Sequence, residues 1–152
     1  LPAAPPTHRA LAFAGALLLA VASLAPALPY PPRQPRPTQA QVARRFLVEV
    51  LAASYPAAYR RLAPEVRAAV PFGTFEAAAR PLWQQGQARR PAIELYQIGT
   101  RLGDGRRASQ WFCRFSFASD SAQPRRPPPV LLEVTFRDTT ARAVLGFGLR
   151  RR

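Results

Sequence analysis

The change of hydrophobic period at Pro91 constrains this fold more than any other feature of the chain. Before it, apolar residues recur at helical spacing and prolines cut the chain into short pieces. After it, apolar and polar residues alternate, the period of strands with one buried face. Strand-like segments cover residues 92–102, 107–119, 130–138 and 143–150. Gly103-Asp104-Gly105 is a hairpin signal between the first two, and residues 139–142 make a short turn between the last two. Residues 120–129 (DSAQPRRPPP) read as a longer, exposed connection. Helices first and then successive antiparallel strands predict an α+β domain.

The helical half opens with Thr38-Gln39-Ala40-Gln41, a capping-box pattern that places Thr38 as N-cap and Gln41 at N3. The helix it starts should run to about residue 54. Val42, Ala43, Phe46, Leu47, Val50, Leu51 and Ala53 form one face of it, with Val48 as an apolar exception on the other. Pro56 and Pro64 suit first-turn positions and predict short helices over 57–62 and 65–70. Thr74 should cap a further helix that carries Phe75, Ala78, Ala79, Leu82 and Trp83 inward. Pro81 is expected to kink or restart that helix, and Gly86 to end it.

Upstream lies an uncharged apolar run, residues 10–28, preceded by His8 and Arg9 and ending in Ala25-Pro26-Ala27. A basic start, an apolar centre and an A-x-A end are the three parts of an export signal. Nineteen helical residues reach roughly 28 Å, so the run could also serve as a membrane anchor. Pro26 and the two small residues around it favour cleavage after Ala27. On that reading residues 1–27 are a signal peptide, and residues 28–37, with their prolines, an extended linker. Residues 38–150 are a single α+β domain and 151–152 a basic tail. The expected location is the periplasm or cell surface, with a tether through residues 10–28 as the alternative.

The formal charge is +14, and all 22 basic residues are arginine. Such a balance ordinarily suggests nucleic acid or an anionic surface. Here lysine, asparagine and methionine are absent while alanine and proline abound, which points to a GC-rich coding sequence. The arginines are also dispersed as doublets rather than gathered on one element, which argues against a phosphate-tracking nucleic-acid surface. A weak, salt-sensitive attraction to anionic membrane or cell-surface polymer fits better. Cys113 is the single cysteine and reads as a buried core thiol on the face shared by Trp111, Phe115 and Phe117.

The segment from Phe46 to Arg67, with Ser54-Tyr55, Ala58-Tyr59 and Leu62-Ala63-Pro64-Glu65-Val66-Arg67, resembles the opening of the nuclear-transport-factor-2-like (cystatin-like) superfamily. The likeness extends over residues 38–150 and is closest to small exported bacterial domains of uncharacterised function. It implies N-terminal helices packed on a curved four-stranded antiparallel sheet that closes toward a cone. In some members of that superfamily the open end of the cone is a ligand pocket, and in others it is filled.

On that expectation, Tyr55, Tyr59, Phe75, Trp83, Trp111, Phe115 and Phe117 are the candidate ligand-pocket residues, with core packing as the competing reading. No catalytic residue is assigned. Past residue 27 the chain has no histidine, hence no imidazole base and no Ser-His-Asp set. One cysteine without histidine excludes a zinc centre, and no metal or cofactor is expected. A carboxylate–tyrosine pair, from Glu94 or Glu133 with Tyr55, Tyr59 or Tyr96, is the remaining catalytic option. Alternation sends both glutamates to the face opposite the core, where pairing with Arg114 or Arg137 is expected. The function expected is a non-catalytic accessory domain for protein interaction or scaffolding, with an unknown protein or a second copy as partner. The alternatives are a binder of small apolar ligands in the cone and, further off, an isomerase-like enzyme.

Overall fold

The computed structural model divides the chain into two units, Leu1–Gln34 and Pro35–Arg152. It describes residues 35–104, 108–121 and 126–151. The export-signal reading, the first part of the linker and the tip of the first hairpin lie outside these residues. Among the described residues no helix is long and apolar enough to cross a membrane.

Helix α1 (Gln39–Leu51) begins as its capping box dictates. The Thr38 hydroxyl accepts from Gln41 N at 3.2 Å, and the Gln41 side chain accepts from Thr38 N at 2.8 Å. It buries Gln39, Val42, Ala43, Phe46, Leu47, Val50 and Leu51. The helix stops before residue 54 because Ala53 turns to φ 57. Ser54 N then donates to Glu49 O and Ala53 N to Val50 O, the two reversed bonds of a Schellman ending. Ala53 is exposed, so it leaves the predicted inner face.

Helices α2 (Tyr55–Arg60) and α3 (Pro64–Ala69) follow, each with proline in its first turn, where a missing N–H has no partner to lose. Helix α4 (Phe72–Arg89) departs from expectation at both of its ends. It starts after Pro71, so Thr74 lies inside it and does not cap it. It is not restarted at Pro81, which lies inside it and is exposed. It also passes Gly86, which is buried: a Cβ there would meet Leu51 Cδ2 at 2.8 Å. That glycine serves close packing of α4 on α1 rather than helix termination. Of the predicted inward residues, Phe75, Ala79 and Leu82 are buried, Trp83 is half-buried and Ala78 is exposed.

Four strands form one sheet in the order β1 (Ile93–Arg101), β2 (Gln110–Phe117), β3 (Val130–Phe136) and β4 (Gly146–Arg151), every neighbouring pair antiparallel. A one-turn helix, α5 (Ala118–Ser121), follows β2. One face of the sheet, with Ile93, Cys113, Phe115, Phe117, Val130, Leu132, Val134 and Phe136, joins Phe46, Leu47, Val50, Phe75 and Leu82 of the helices in a single core. Phe147 of β4 closes it, its ring 5.2 Å from Phe46 and 5.4 Å from Phe75. Two backbone bonds, Ala63 N to Val144 O at 2.8 Å and Val144 N to Arg61 O at 2.9 Å, stitch the α2–α3 junction to the chain before β4. Gln39, buried at the start of α1, donates to the carbonyls of Asp138 and Ala141 and so pins the β3–β4 turn.

This architecture corrects the cone. Helices do pack on a four-stranded antiparallel sheet, but the sheet is flat and open, with β1 and β4 at opposite edges. It neither curves nor closes as a nuclear-transport-factor-2-like or cystatin-like fold requires. The resemblance rested on leucine, alanine and tyrosine at helical spacing, with proline at helix starts. Any short amphipathic helices packed on a sheet use those residues for the same reasons.

Candidate functional site

Of the seven aromatic residues expected at a pocket, six belong to the core or pack against it. Phe75, Phe115 and Phe117 are fully buried in the core. Tyr59 stacks against Phe72 and Phe75 at centroid distances of 5.4 and 5.3 Å. Its hydroxyl lies 2.7 Å from Val70 O and 3.1 Å from Arg67 O, so it locks α2 to the end of α3. Tyr55 and Trp111 are half-buried against the core, and Trp83 is half-buried on α4. Cys113 lies inside the core, where burial pushes its thiol up to about 11 and keeps it protonated.

The side chains that do converge lie on the opposite face of the sheet. Glu133, on β3, is directly opposite Arg114 on β2 and Gly148 on β4. Its carboxylate takes three guanidinia: Arg101 Nη2 at 2.7 Å and Arg150 Nη2 at 3.1 Å on Oε1, and Arg114 Nε at 2.8 Å on Oε2. Only 4 % of Glu133 is exposed, so it is not on the solvated surface that alternation alone suggested. Burial by itself would raise its carboxyl, but the hydrogen bonds from Arg101, Arg114 and Arg150 outweigh it and hold the group at about 2. A carboxylate held there is a weak base at neutral pH, the reverse of the raised carboxyl an isomerase-like pair uses.

Arg114 has two further partners, Gln97 Oε1 at 2.9 Å and the Phe112 ring, whose centroid is 4.3 Å away. Arg137, the other expected partner of Glu133, pairs instead with Glu65 of α3. Glu94 remains exposed on β1, next to Ser116 in register. A depression of about 450 Å³ runs beside the cluster, bounded by Arg101, Gln110, Glu133, Thr135, Gly148 and Arg150. A second, of about 590 Å³, lies along α1 between Arg44, Arg45, Val48 and the bidentate Arg61–Glu49 pair. Neither is lined by the seven aromatic residues. Among the described residues no three His, Cys, Asp or Glu side chains come together as a metal site would require.

The third feature is β1 itself. Past Ile93 it is uncovered: Leu95 is 50 % exposed, Ile98 51 % and Leu102, just beyond its end, 82 %. Register places Leu95 opposite Phe115 and Ile98 opposite Cys113, so both belong to the core-side face. A bulge between Leu95 and Gln97 keeps them there although they are three residues apart.

No protein-family model, curated protein or solved structure matches the chain. Neither the described residues nor these comparisons lend support to a signal segment, secretion or a periplasmic setting, and that reading rests on residues 10–28 alone.

Proposed function

We propose that the domain is a non-catalytic interaction module that associates with a second copy of itself through β1. The observation that carries this is the exposure of Leu95 and Ile98 on a strand that, among the described residues, is at the edge of the sheet. Such an edge offers unpaired backbone groups together with apolar surface, and natural edges are normally blunted by charge, proline or a cover. The other edge is blunted in this way, since β4 ends in Arg150 and Arg151. Residues 94–100 of β1 carry one charge, Glu94.

A second copy is favoured because β1 complements itself. Glu94 lies near its start and Arg101 at its end, on the same face. A two-fold antiparallel approach brings each Glu94 toward the other copy's Arg101, with Leu95 and Ile98 of both copies on the other side. The proposed setting is extracytoplasmic, on the strength of the sequence of residues 10–28.

Static light scattering of the full chain tests this. Two copies, each of formal charge +14, repel at low salt, so apolar pairing should strengthen as salt screens that repulsion. Leu95→Arg and Ile98→Arg should each return a monomer with an unchanged circular dichroism spectrum. A dimer that survives both substitutions would put the contact elsewhere. A chain that stays monomeric at every salt concentration would end the proposal. Self-association that weakens with salt would place the contact on charged groups and overturn the apolar β1 edge as its basis.

A further inference from the structure

The Glu133 cluster is unbalanced in a way that a purely structural ion pair is not. One carboxylate faces three guanidinia, so the group carries a net charge of +2. Each guanidinium has five N–H donors, far more than the lone pairs of one carboxylate can accept. Arg114 is committed on both sides, to Glu133 and to Gln97. Arg101 and Arg150 differ from it: among the described residues their hydrogen bonds go to Glu133 Oε1 alone. Both guanidinia therefore meet across a single oxygen, with their remaining donors directed away from it.

The backbone leaves room beside them. Gly148 stands opposite Glu133, and a Cβ there would meet nothing within 4 Å. The depression of about 450 Å³ lies at this place, with Thr135 and Gln110 among the residues that line it. A like-charged pair of arginines is expensive to hold together, and Glu133 is what makes their approach tolerable.

We propose that Arg101 and Arg150, held in place by Glu133 beside the bare backbone of Gly148, form a binding site for a phosphate group. A dianion matches the excess charge of +2, and a phosphate monoester carries about −1.5 to −2 at neutral pH. The planar fork of each guanidinium suits paired phosphate oxygens, and Thr135 and Gln110 supply neutral donors. Glu133 is a positioning residue here, and the ligand touches the arginines. The site lies on the face opposite the apolar residues of β1; Arg101 is shared with the proposed contact to a second copy, whereas Arg150, on the far edge strand, belongs to this site alone and separates the two proposals.

The test titrates the full chain with inorganic phosphate at constant ionic strength and follows the arginine Nε–Hε resonances by NMR. The Arg101 and Arg150 signals should shift saturably with phosphate and not with chloride. Arg150→Gln and Arg101→Gln should each weaken binding about tenfold or more, while Arg44→Gln, on α1, should leave it unchanged. Arg150 is half exposed, so its loss spares the core, and an unchanged circular dichroism spectrum verifies this. A parallel arm uses phosphatidylcholine vesicles with and without phosphatidic acid. Binding of phosphate alone assigns a soluble phosphorylated ligand, and binding of both assigns a lipid headgroup. Equal shifts with phosphate and chloride, or titrations indifferent to Arg101→Gln and Arg150→Gln, would overturn the site.

Discussion

Strands β1 and β3 are both apolar-rich members of one sheet, yet they meet opposite fates. Every residue of β3 is buried, on both faces, including Glu133 and Thr135. In β1 only Ile93 is buried. The difference comes from place rather than composition. β3 has a strand on each side, the helices on one face and arginine side chains gathered over Glu133 on the other. Among the described residues β1 has one neighbouring strand, and past Ile93 none of its residues is buried. Burial in this sheet follows strand order, and the surplus apolar surface is left on one edge. A strand that cannot be buried inside the domain is the natural place for contact outside it.

The contrast makes graded predictions. Leu132→Ala, at the fully buried centre of β3, should cost about 3 kcal/mol of unfolding free energy in a urea titration. Ile98→Ala should cost under about 0.5 kcal/mol when measured on monomer, because the side chain is half in water already. Similar losses from the two substitutions would break the contrast.

Glu133 gives the next effect. Its carboxyl is depressed in the folded state, from an ordinary 4.5 to about 2. A depressed carboxyl contributes stability that is full above its unfolded pKa and is lost as pH falls through the folded one. Wild type should therefore lose about 2–3 kcal/mol between pH 5 and pH 2 relative to Glu133→Gln, read from paired urea titrations. Parallel pH profiles for the two proteins would show that the arginine cluster does not depend on the carboxylate charge.

Much of the fold was legible in the sequence because its signals are local. The Thr38–Gln41 capping box, the first-turn prolines 56 and 64, and the change to a period of two after Pro91 each depend only on neighbouring residues. What misled were residues whose role is set by distant contacts. Gly86 looked like a terminator because its partner, Leu51, is thirty-five residues away. Thr74 looked like a cap, but the chain enters α4 two residues earlier. The cone was inferred from residues that shape helices and say nothing about how strongly a sheet bends.

The outer-face cluster was only partly readable. Glu133 is the one charge in an otherwise uncharged strand, and alternation placed it on the side away from the core with Arg114 or Arg137 as partner, of which the register selects Arg114. Arg101 and Arg150 could not be singled out in a chain where arginine is so common. They reach Glu133 from strands thirty-two residues before it and seventeen after. The exposure of Leu95 and Ile98 was equally hidden, because alternation marks a face as apolar without showing whether a helix covers it.

Hydrogen exchange of the β1 amides, measured at low and high protein concentration, tests the central claim most directly. Amides of β3 should be protected equally at both concentrations, since both of that strand's edges are paired within the domain. Those of β1 that face the free edge should gain protection as concentration rises and lose that gain in Ile98→Arg. Exchange along β1 that is independent of concentration, or protection that rises equally in Ile98→Arg, would contradict the account.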